Sequence, residues 1–364
     1  MVQKNKDIKS KCKFIFKGYP QLSLETQFKE ISQYCKKNNI SRDFYGDGFH
    51  KDKFEAKIAK LLGFESGLFF VSGTMAQQIA LRIIKEKTKT PYFGAHKTCH
   101  LLVYENKAYQ RIHGLKPVML GKPNDNFRST DILNTKKKLG SVIVELPARD
   151  LGGRLIKFDE LSDIKKVCKK RKIHLHLDGA RLWETKPYYQ KNYKDICKGF
   201  QSVYVSFYKG IGAMNGAMLL GNRTFIEQSK TWQHRMGGRL FQVSPSLISA
   251  EMNFDKRLKL MPAYYKKTKQ LYDFFNDLES VKLIPETPQT NLFRVLVKAT
   301  EQDVQEAREA IARKHSVWIC NIIGKHNKNT CFLEMYVGDN LLKLKSDFVE
   351  NVFKDFIDVL NKKK

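Results

Sequence analysis

Two stretches of the sequence share one plan and decide the fold. Residues 174–184 read HLHLDGARLWE, and residues 206–216 read SFYKGIGAMNG. The alternating, bulky run before Asp178 predicts a buried strand, and Ser202 to Phe207 predicts another strand just before Lys209. Glycines after each strand let the chain turn tightly. Because parallel strands end at the same edge of a sheet, we expect the Asp178 carboxylate and the Lys209 amine to face each other where open α/β sheets bind ligands.

This pair of side chains has a chemical use. A lysine amine can form a Schiff base with an aldehyde cofactor. A carboxylate can keep the ring nitrogen of pyridoxal phosphate (PLP) protonated, which makes the ring an electron sink. A lone aspartate or lysine is more often a turn residue or part of a structural ion pair. The matched positions of Asp178 and Lys209 after two strands favour the cofactor interpretation.

The same residues carry a family resemblance. DGARLWE and YKGIGAMNG resemble the aspartate and lysine motifs of the threonine aldolase and β-eliminating lyase family, which are PLP enzymes of fold type I. Residues 45–82, YGDGFHKDKFEAKIAKLLGFESGLFFVSGTMAQQIALR, resemble the family's first loop, helix and phosphate-binding segment. The resemblance covers residues 40–300. It implies a mostly parallel central sheet flanked by helices, followed by a small C-terminal α/β domain.

The segment Ser72-Gly73-Thr74 opens a predicted helix. The N-terminus of a helix presents free N–H groups and the positive end of the helix dipole, which together suit a phosphate group. The alternative is an ordinary helix cap by Ser72 or Thr74. The ordered set YGDG, SGTM, DGAR and YKGIG favours the phosphate site.

The resemblance also implies the remaining site residues. The catalytic residues would be Lys209, His100 and Asp178. The cofactor-binding residues would be Ser72, Gly73, Thr74, His100, Asp178, Arg181, Ser206, Lys209 and Arg235. The substrate-binding residues would be Arg181, Tyr45, Glu105 and Arg149. Arg239 is an alternative to Arg235, and both stand in the segment TWQHRMGGRLFQ, where simple surface arginines are the other interpretation.

His100 is expected to stack on the cofactor ring, with Glu105 nearby. The alternatives are a hydrogen-bonded loop histidine, or His96 in the ring position if the register differs. The pattern HxxxH is also typical of metal sites, but no third ligand is evident, so the sequence predicts no metal.

The sequence departs from the family pattern at two places. Many threonine aldolases carry a histidine shortly after the glutamate that corresponds to Glu145, but here Ala148 and Arg149 follow it. This argues against a proton transfer that uses two histidines. The family's late carboxylate-binding arginine aligns with Phe332.

Another arginine must then bind the substrate carboxylate, or the substrate differs from threonine. Arg181, Arg149 and Arg294 are the candidates. Arg181 is favoured, since a planar guanidinium suits a carboxylate.

Composition narrows the class of protein. The net charge is +29, but the lysines are spread along all 364 residues, which favours a solvated basic surface over a nucleic-acid site. No apolar run approaches the roughly 20 residues of a membrane helix, and no secretory signal is evident. Seven cysteines, in no zinc-binding spacing, fit reduced thiols in the cytosol. We therefore expect a cytoplasmic protein with neither membrane nor nucleic-acid partners.

The predicted organisation is a lead-in at residues 1–45, a large PLP-binding domain at residues 46–258 and a small α/β domain at residues 259–364. The small domain is expected to contain a helix from Ala263 to Leu278 and a strand from Val317 to Ile322.

The predicted function is PLP-dependent cleavage of a threonine-like β-hydroxy amino acid to glycine and an aldehyde. The alternatives are β-elimination on an amino acid and a catalytically weak PLP-binding protein. A homodimer or homotetramer is expected, because family members close the pocket from a partner subunit.

Overall fold

The chain folds into two compact units in a computed structural model that describes residues 7–362. The large unit comprises Leu22–Asp150 and Leu155–Lys259. The small unit comprises the described residues up to Gln21, together with Leu151–Arg154 and the chain from Leu260 onward. The predicted boundary at residue 258 lies beside this division. The predicted lead-in is split between the two units, because Phe14–Ile15 pairs in parallel with Val317–Trp318 of the small unit.

The strands, in chain order, are β1 (Phe14–Ile15), β2 (Ser66–Phe70), β3 (Tyr92–His96), β4 (Lys116–Leu120), β5 (Ser141–Glu145), β6 (His174–Gly179), β7 (Ser202–Ser206), β8 (Ala217–Gly221), β9 (Val281–Ile284), β10 (Leu292–Val297), β11 (Val317–Trp318), β12 (Ile323–Asn327) and β13 (Thr330–Tyr336). The main helices are α1 (Leu24–Asn38), α2 (Phe49–Leu62), α3 (Gly73–Thr88), α4 (His100–Val103), α5 (Ala108–Arg111), α6 (Ser129–Leu133), α7 (Phe158–Lys170), α8 (Lys186–Tyr189), α9 (Tyr193–Cys197), α10 (Arg223–Arg235), α11 (Ser244–Asn276), α12 (Glu301–His315), α13 (Asp339–Leu342) and α14 (Ser346–Asn361).

A seven-stranded sheet forms the centre of the large unit, in the order β2-β8-β7-β6-β5-β3-β4. Neighbouring strands from β7 to β4 are parallel, whereas β8 runs antiparallel to both β2 and β7. The predicted mostly parallel sheet is therefore confirmed. Strands β6 and β7 are neighbours, with Asp178 opposite Tyr204. The two decisive sequence stretches consequently end side by side at the carboxyl edge of the sheet.

Aromatic side chains hold the turns that follow β6 and β7. The ring of Trp183 stacks on Phe207 at a centroid distance of 6.1 Å and meets Phe254 edge-on at 4.9 Å. All three rings are fully buried, and each such pair contributes about 0.5–1.5 kcal/mol beyond its buried area. The indole N–H of Trp183 donates to the carbonyl of Ser206 at 2.9 Å. The turns after Asp178 and before Lys209 are thereby fixed to each other and to α11.

Helix α11 differs from the prediction. It begins at Ser244 rather than at Ala263 and continues through Pro262. A proline inside a helix removes one backbone hydrogen bond and clashes with the preceding turn, so the sequence pattern predicts a break there. Met261 and Tyr264 on either side of the proline are buried. Their packing sustains the helix despite the local cost.

The small unit contains an antiparallel sheet in the order β12-β13-β10-β9. The predicted strand from Val317 to Ile322 was too long, since only Val317–Trp318 is extended. The following strand, β12, was missed because it is largely polar and exposed and depends on pairing with β13. Within residues 7–362, no helix combines the length and the apolar character that a membrane crossing requires.

Candidate active site

Three neighbouring strands bring charged side chains to one edge of the large unit. Glu145 ends β5 and pairs in register with Asp178 near the end of β6. Lys209 follows β7, and its amine interacts electrostatically with Arg181, Asp178, Glu145 and Arg149. The structure therefore brings together the lysine and the aspartate that the sequence singled out. It adds Glu145, for which no role was predicted.

The surroundings of Lys209 favour a neutral amine. Burial and, to a smaller extent, the charge of Arg181 lower the pKa of Lys209 to about 8, while Asp178 and Glu145 act in the opposite direction. The neutral fraction of such an amine is substantial near pH 8. Because the unprotonated amine is the nucleophile toward an aldehyde, this position suits covalent attachment of an aldehyde cofactor.

Asp178 is a buried side chain that accepts two hydrogen bonds. Its side chain is buried, with 2% exposure. Its Oδ1 accepts a hydrogen bond from the Ala180 N–H at 3.1 Å, and its Oδ2 accepts one from Gln77 Nε2 at 2.5 Å. Two donors stabilise the ionised form, which is the form needed to keep a pyridine nitrogen protonated.

The ionisation of Asp178 affects its neighbour on β5. Burial raises the pKa of Glu145, and the nearby Asp178 raises it further. Two adjacent buried carboxyl groups do not ionise together. Since Asp178 accepts two hydrogen bonds and Glu145 Oε1 accepts one, from the Arg149 N–H at 3.3 Å, Glu145 retains the proton.

The N-terminus of α3 is built to approach a ligand. Ser72 caps the helix, and its hydroxyl accepts the Met75 N–H at 3.4 Å. The Ser72 side chain is therefore a helix cap, which was the alternative to a phosphate contact for this residue. In the part of the chain that the structure describes, the N–H groups of Gly73 and Thr74 have no protein acceptor. A Cβ at residue 73 would overlap the hydroxyl of Tyr204, so only glycine permits this packing. The two amides remain for an anionic group.

His100 is oriented by a buried carboxylate. Its Nδ1 lies 3.0 Å from Glu105 Oε1, and Glu105 Oε2 accepts a hydrogen bond from Gln78 at 2.6 Å. In the neutral imidazole the proton is thus on Nδ1, and Nε2 is an acceptor. His96 instead uses both ring nitrogens locally, with the Thr98 hydroxyl at 2.8 Å and the Lys122 carbonyl at 2.7 Å. His100 is therefore the better candidate for contact with a cofactor.

Two arginines lie at the same site. Arg149 Nη1 is 3.4 Å from the Tyr104 hydroxyl, and the Tyr104 ring lies 5.2 Å from the ring of His100. Arg181 is half-buried and, like Arg149, acts on the amine of Lys209. Arg294 belongs to the small unit, where its guanidinium lies 4.0 Å from the centre of the Phe332 ring.

The predicted residue Ser206 has a structural contact. It is fully buried, and its hydroxyl donates to the carbonyl of Ala180 at 2.6 Å. The hydroxyl has a single proton, so this hydrogen bond leaves none for a cofactor. Its position connects the end of β7 to the turn after Asp178.

Two predicted residues, Tyr45 and Arg235, lie in a different place. They line a cavity of about 810 Å³ whose lining also includes Arg239 but not Lys209, Asp178 or His100. Arg239 donates to the Tyr45 carbonyl at 3.2 Å and pairs with Asp47 at 3.0 Å. The structure therefore does not bring these two residues together with the lysine of the same chain.

Sequence reasoning also missed Gln77, Gln78 and Glu145. The two glutamines are consecutive on α3, yet each supports a different site residue, Asp178 or Glu105. The signal in the sequence was weak, because polar residues near the start of a helix are ordinary. Only the packing of α3 on the sheet identifies their partners.

Comparison with known proteins agrees with this geometry. Residues 25–300 match the family model for β-eliminating lyases. Low-specificity L-threonine aldolase 1 of Arabidopsis thaliana is 25% identical over 250 residues, which span 66% of this chain and 70% of that protein. The low-specificity L-threonine aldolase of Candida albicans is 27% identical over 298 residues, spanning 75% of this chain and 76% of that protein.

A solved structure matches almost the whole chain. It is that of an L-allo-threonine aldolase candidate from Listeria monocytogenes EGD-E, with 35% identity, a TM-score of 0.93, and coverage of 98% of this chain and 99% of that one. Among eight curated relatives, the matched part spans between 54% and 76% of the relative's length.

The fold and the site define a PLP-dependent lyase of fold type I. The donor set fits this cofactor: a lysine with a lowered pKa, a buried ionised carboxylate, free amides at a helix N-terminus and an oriented imidazole. The chain belongs to the β-eliminating lyase family.

The first prediction concerns Lys209. We expect Lys209→Ala to abolish the absorbance band of lysine-bound PLP near the visible edge and to lower turnover by about 10²–10⁴-fold or more, since a covalent anchor and a proton-transfer group are lost together. The exposed Lys198→Ala is the matched control. Thermal unfolding should be nearly unchanged in both variants. An unaltered band together with full turnover in Lys209→Ala would exclude the assignment.

Proposed function

We propose that this protein cleaves the Cα–Cβ bond of a threonine-like β-hydroxy amino acid and releases glycine and an aldehyde. The arrangement of Lys209, Asp178 and His100 at one sheet edge is the observation that carries the proposal. Membership of the β-eliminating lyase family and similarity to proteins named as threonine aldolases support it.

Each proposed contact with the cofactor has a separate purpose. PLP bound through Lys209 supplies an electron sink next to the substrate's Cα. Asp178 would keep the ring nitrogen protonated, and the amides of Gly73 and Thr74 would hold the phosphate. His100 would cover one face of the ring. These contacts orient the reacting bond.

The proton transfers can be assigned to this chain's own side chains. We assign to His100 Nε2 the uptake of the proton of the substrate's β-hydroxyl as the Cα–Cβ bond breaks and the aldehyde forms. Glu105, bonded to Nδ1, stabilises the resulting imidazolium. Lys209 is positioned to deliver a proton to Cα, which completes glycine. By resemblance, Ala148 and Arg149 stand where many threonine aldolases carry a second histidine, so we assign one histidine to the hydroxyl.

β-Elimination is the second candidate function. The lowered pKa of Lys209 suits removal of the α-proton, and the protonated Glu145 beside it is a candidate donor to a departing β-group. The family's own description names this reaction. The two reactions share the same residues and differ in the bond that breaks.

The second prediction separates these reactions by their products. With threonine as substrate and PLP present, we expect equal amounts of glycine and acetaldehyde, measured by amino-acid analysis and by an alcohol dehydrogenase assay. Formation of 2-oxobutyrate and ammonia would identify β-elimination instead. Absence of both product pairs with threonine, allo-threonine and serine, despite a normal cofactor band, would favour the weakly catalytic alternative.

We propose that Arg181 and Arg149 together bind the substrate carboxylate, since both act electrostatically on Lys209. The third prediction is that Arg181→Lys and Arg149→Lys each raise KM for threonine about 10- to 100-fold, because lysine cannot reproduce a bidentate contact. The exposed Arg111→Lys serves as a control. If KM stays within twofold in both site variants, the carboxylate binds elsewhere.

We also propose a homo-oligomer in which the cavity lined by Tyr45 and Arg235 lies against a second copy of the chain. The exposed rings of Phe44, Tyr45 and Phe241 contact one another at centroid distances of 5.0–5.3 Å. Clusters of exposed aromatic side chains mark interaction surfaces. The adjacent arginines could then reach the cofactor phosphate of the partner.

The fourth prediction tests shared sites. We expect Lys209→Ala and Arg235→Ala homo-oligomers to be weakly active. A mixture that is refolded or co-expressed should regain up to roughly a quarter of wild-type activity, because about half of the dimers are then mixed and one of the two sites in each mixed dimer carries both intact groups. Light scattering should show at least a dimer at assay concentration. A fully active monomer, or no recovery in verified mixed oligomers, would contradict the proposal.

The cysteines bear on the cellular location. All seven are free thiols, and five of them are buried. We propose a cytoplasmic location on this basis, because reduced thiols persist there.

A further inference from the structure

A chain of polar side chains runs along one face of β6 towards Asp178. Alternate residues of a strand point to the same side, so His174, His176 and Asp178 share a face. Helix α3 covers that face and contributes Gln77. These three residues are the polar positions of the sequence HLHLD. The apolar positions between them, Leu175 and Leu177, are fully buried on the other side of the strand.

Four hydrogen bonds connect these side chains in series. His174 Nε2 lies 2.8 Å from the Ser202 hydroxyl, which lies 2.7 Å from His176 Nδ1. His176 Nε2 lies 2.8 Å from Gln77 Oε1. Gln77 Nε2 lies 2.5 Å from Asp178 Oδ2. Ser202 and His176 have no solvent exposure, and Gln77 has 1%.

The chemistry of the groups fixes the direction of every hydrogen bond. Gln77 turns its NH₂ to Asp178 and its oxygen, which can only accept, to His176. His176 Nε2 must then carry a proton. In a neutral ring its Nδ1 is an acceptor, so Ser202 donates to it and accepts from His174 Nε2–H. Every donor in the series therefore points towards Asp178.

Both imidazoles are suited to remain neutral. Burial and, to a smaller extent, the neighbouring His174 lower the pKa of His176 to about 3. Burial also lowers the pKa of His174 to about 3. A neutral series of aligned donors polarises each successive bond, which strengthens the last one. That last bond is made to the only member of the series that is charged.

We propose that His176 and Gln77 are positioning residues that hold the Asp178 carboxylate ionised and turned toward the cofactor's ring nitrogen, with Ser202 and His174 fixing their hydrogen-bond direction. Without these donors, Asp178 would face Glu145 across the paired strands with only the Ala180 N–H to stabilise it. The shared proton could then move from Glu145 to Asp178. This inference rests on the proposed role of Asp178 as the partner of the cofactor.

The arrangement differs from that of an ordinary buried histidine. His113 is also buried, and neither of its ring nitrogens has a hydrogen-bond partner within residues 7–362. It lies beside the same helix, where its backbone carbonyl accepts a hydrogen bond from Lys85 at 2.5 Å. His113 is therefore a matched reference for the removal of a buried imidazole outside the series.

The first measurement uses the wild-type apoprotein and no activity assay. Long-range ¹H–¹⁵N spectra of histidine-labelled protein report the tautomer of each ring. We expect His176 and His174 to carry the proton on Nε2 and to show no titration between pH 5 and 9. A proton on Nδ1 of His176, or titration of His176 near pH 6.5, would overturn the proposed direction of the series.

The second measurement is the fifth prediction, the affinity of the apoprotein for PLP. We expect Gln77→Met, which retains the side-chain volume, to raise the dissociation constant about 10- to 100-fold. The dissociation constant for PLP should rise less in His176→Phe and least in Ser202→Ala, and it should not change in His113→Phe. Asp178→Asn gives the reference for complete loss of the carboxylate, and thermal unfolding of each variant checks the fold.

The outcomes separate this inference from the proposed function. If Gln77→Met and His176→Phe fold and bind PLP within twofold of His113→Phe, the positioning role is wrong even in an active enzyme. If Gln77→Met or His176→Phe does not fold, the PLP affinity of Ser202→Ala and the histidine tautomers of the wild-type protein still test the positioning role. If the wild-type apoprotein binds no PLP, the proposed function fails, and the positioning role toward the cofactor fails with it.

Discussion

The buried charge of Asp178 is the constraint on which the rest of the site depends. An isolated carboxylate in a protein interior is strongly disfavoured unless hydrogen bonds or opposite charges compensate it. Here the compensation comes from α3 through Gln77 and from the turn after β6 through the Ala180 amide. Both depend on the packing of α3 against the sheet. The same helix begins at Gly73, so the packing of α3 positions both the donor to Asp178 and the free N–H groups of the helix N-terminus.

The charge state of Asp178 also sets the states of its neighbours. It keeps the proton on Glu145 across the paired strands, and it partly offsets the burial that lowers the pKa of Lys209. Arg181 acts on Lys209 in the opposite direction. One edge therefore holds an ionised carboxylate, a protonated carboxyl group and an amine that is easily made neutral. Asp178, Glu145 and Lys209 can therefore take different acid and base roles. Asp178 and Glu145 are both carboxyl groups, but their environments differ.

The sequence was sufficient to predict the sheet and the edge at which Asp178 and Lys209 meet. Strand ends at Asp178 and Lys209 are local signals, since apolar alternation stops and glycines follow. The partners of these residues are not local. Gln77 meets Asp178 from a distance of 101 positions along the chain, and no periodicity reveals that contact. Helix α11 was misjudged for a related reason, because the packing around Pro262 overrides the local preference for a break. The assignment of Ser206 to the cofactor came from resemblance and stays a prediction; the structure shows that its hydroxyl donates to the carbonyl of Ala180.

Ala148 lies in tight packing beside Glu145. Ala148 is buried and lines a cavity of about 10 Å³ together with Phe127, Ile143 and Glu145. That volume is close to the minimum for one water molecule, so an imidazole would not fit without displacing its neighbours. Glu145 lines the same cavity and carries a proton. At this end of the site, the proton-bearing group is therefore a carboxyl group attached to a rigid strand.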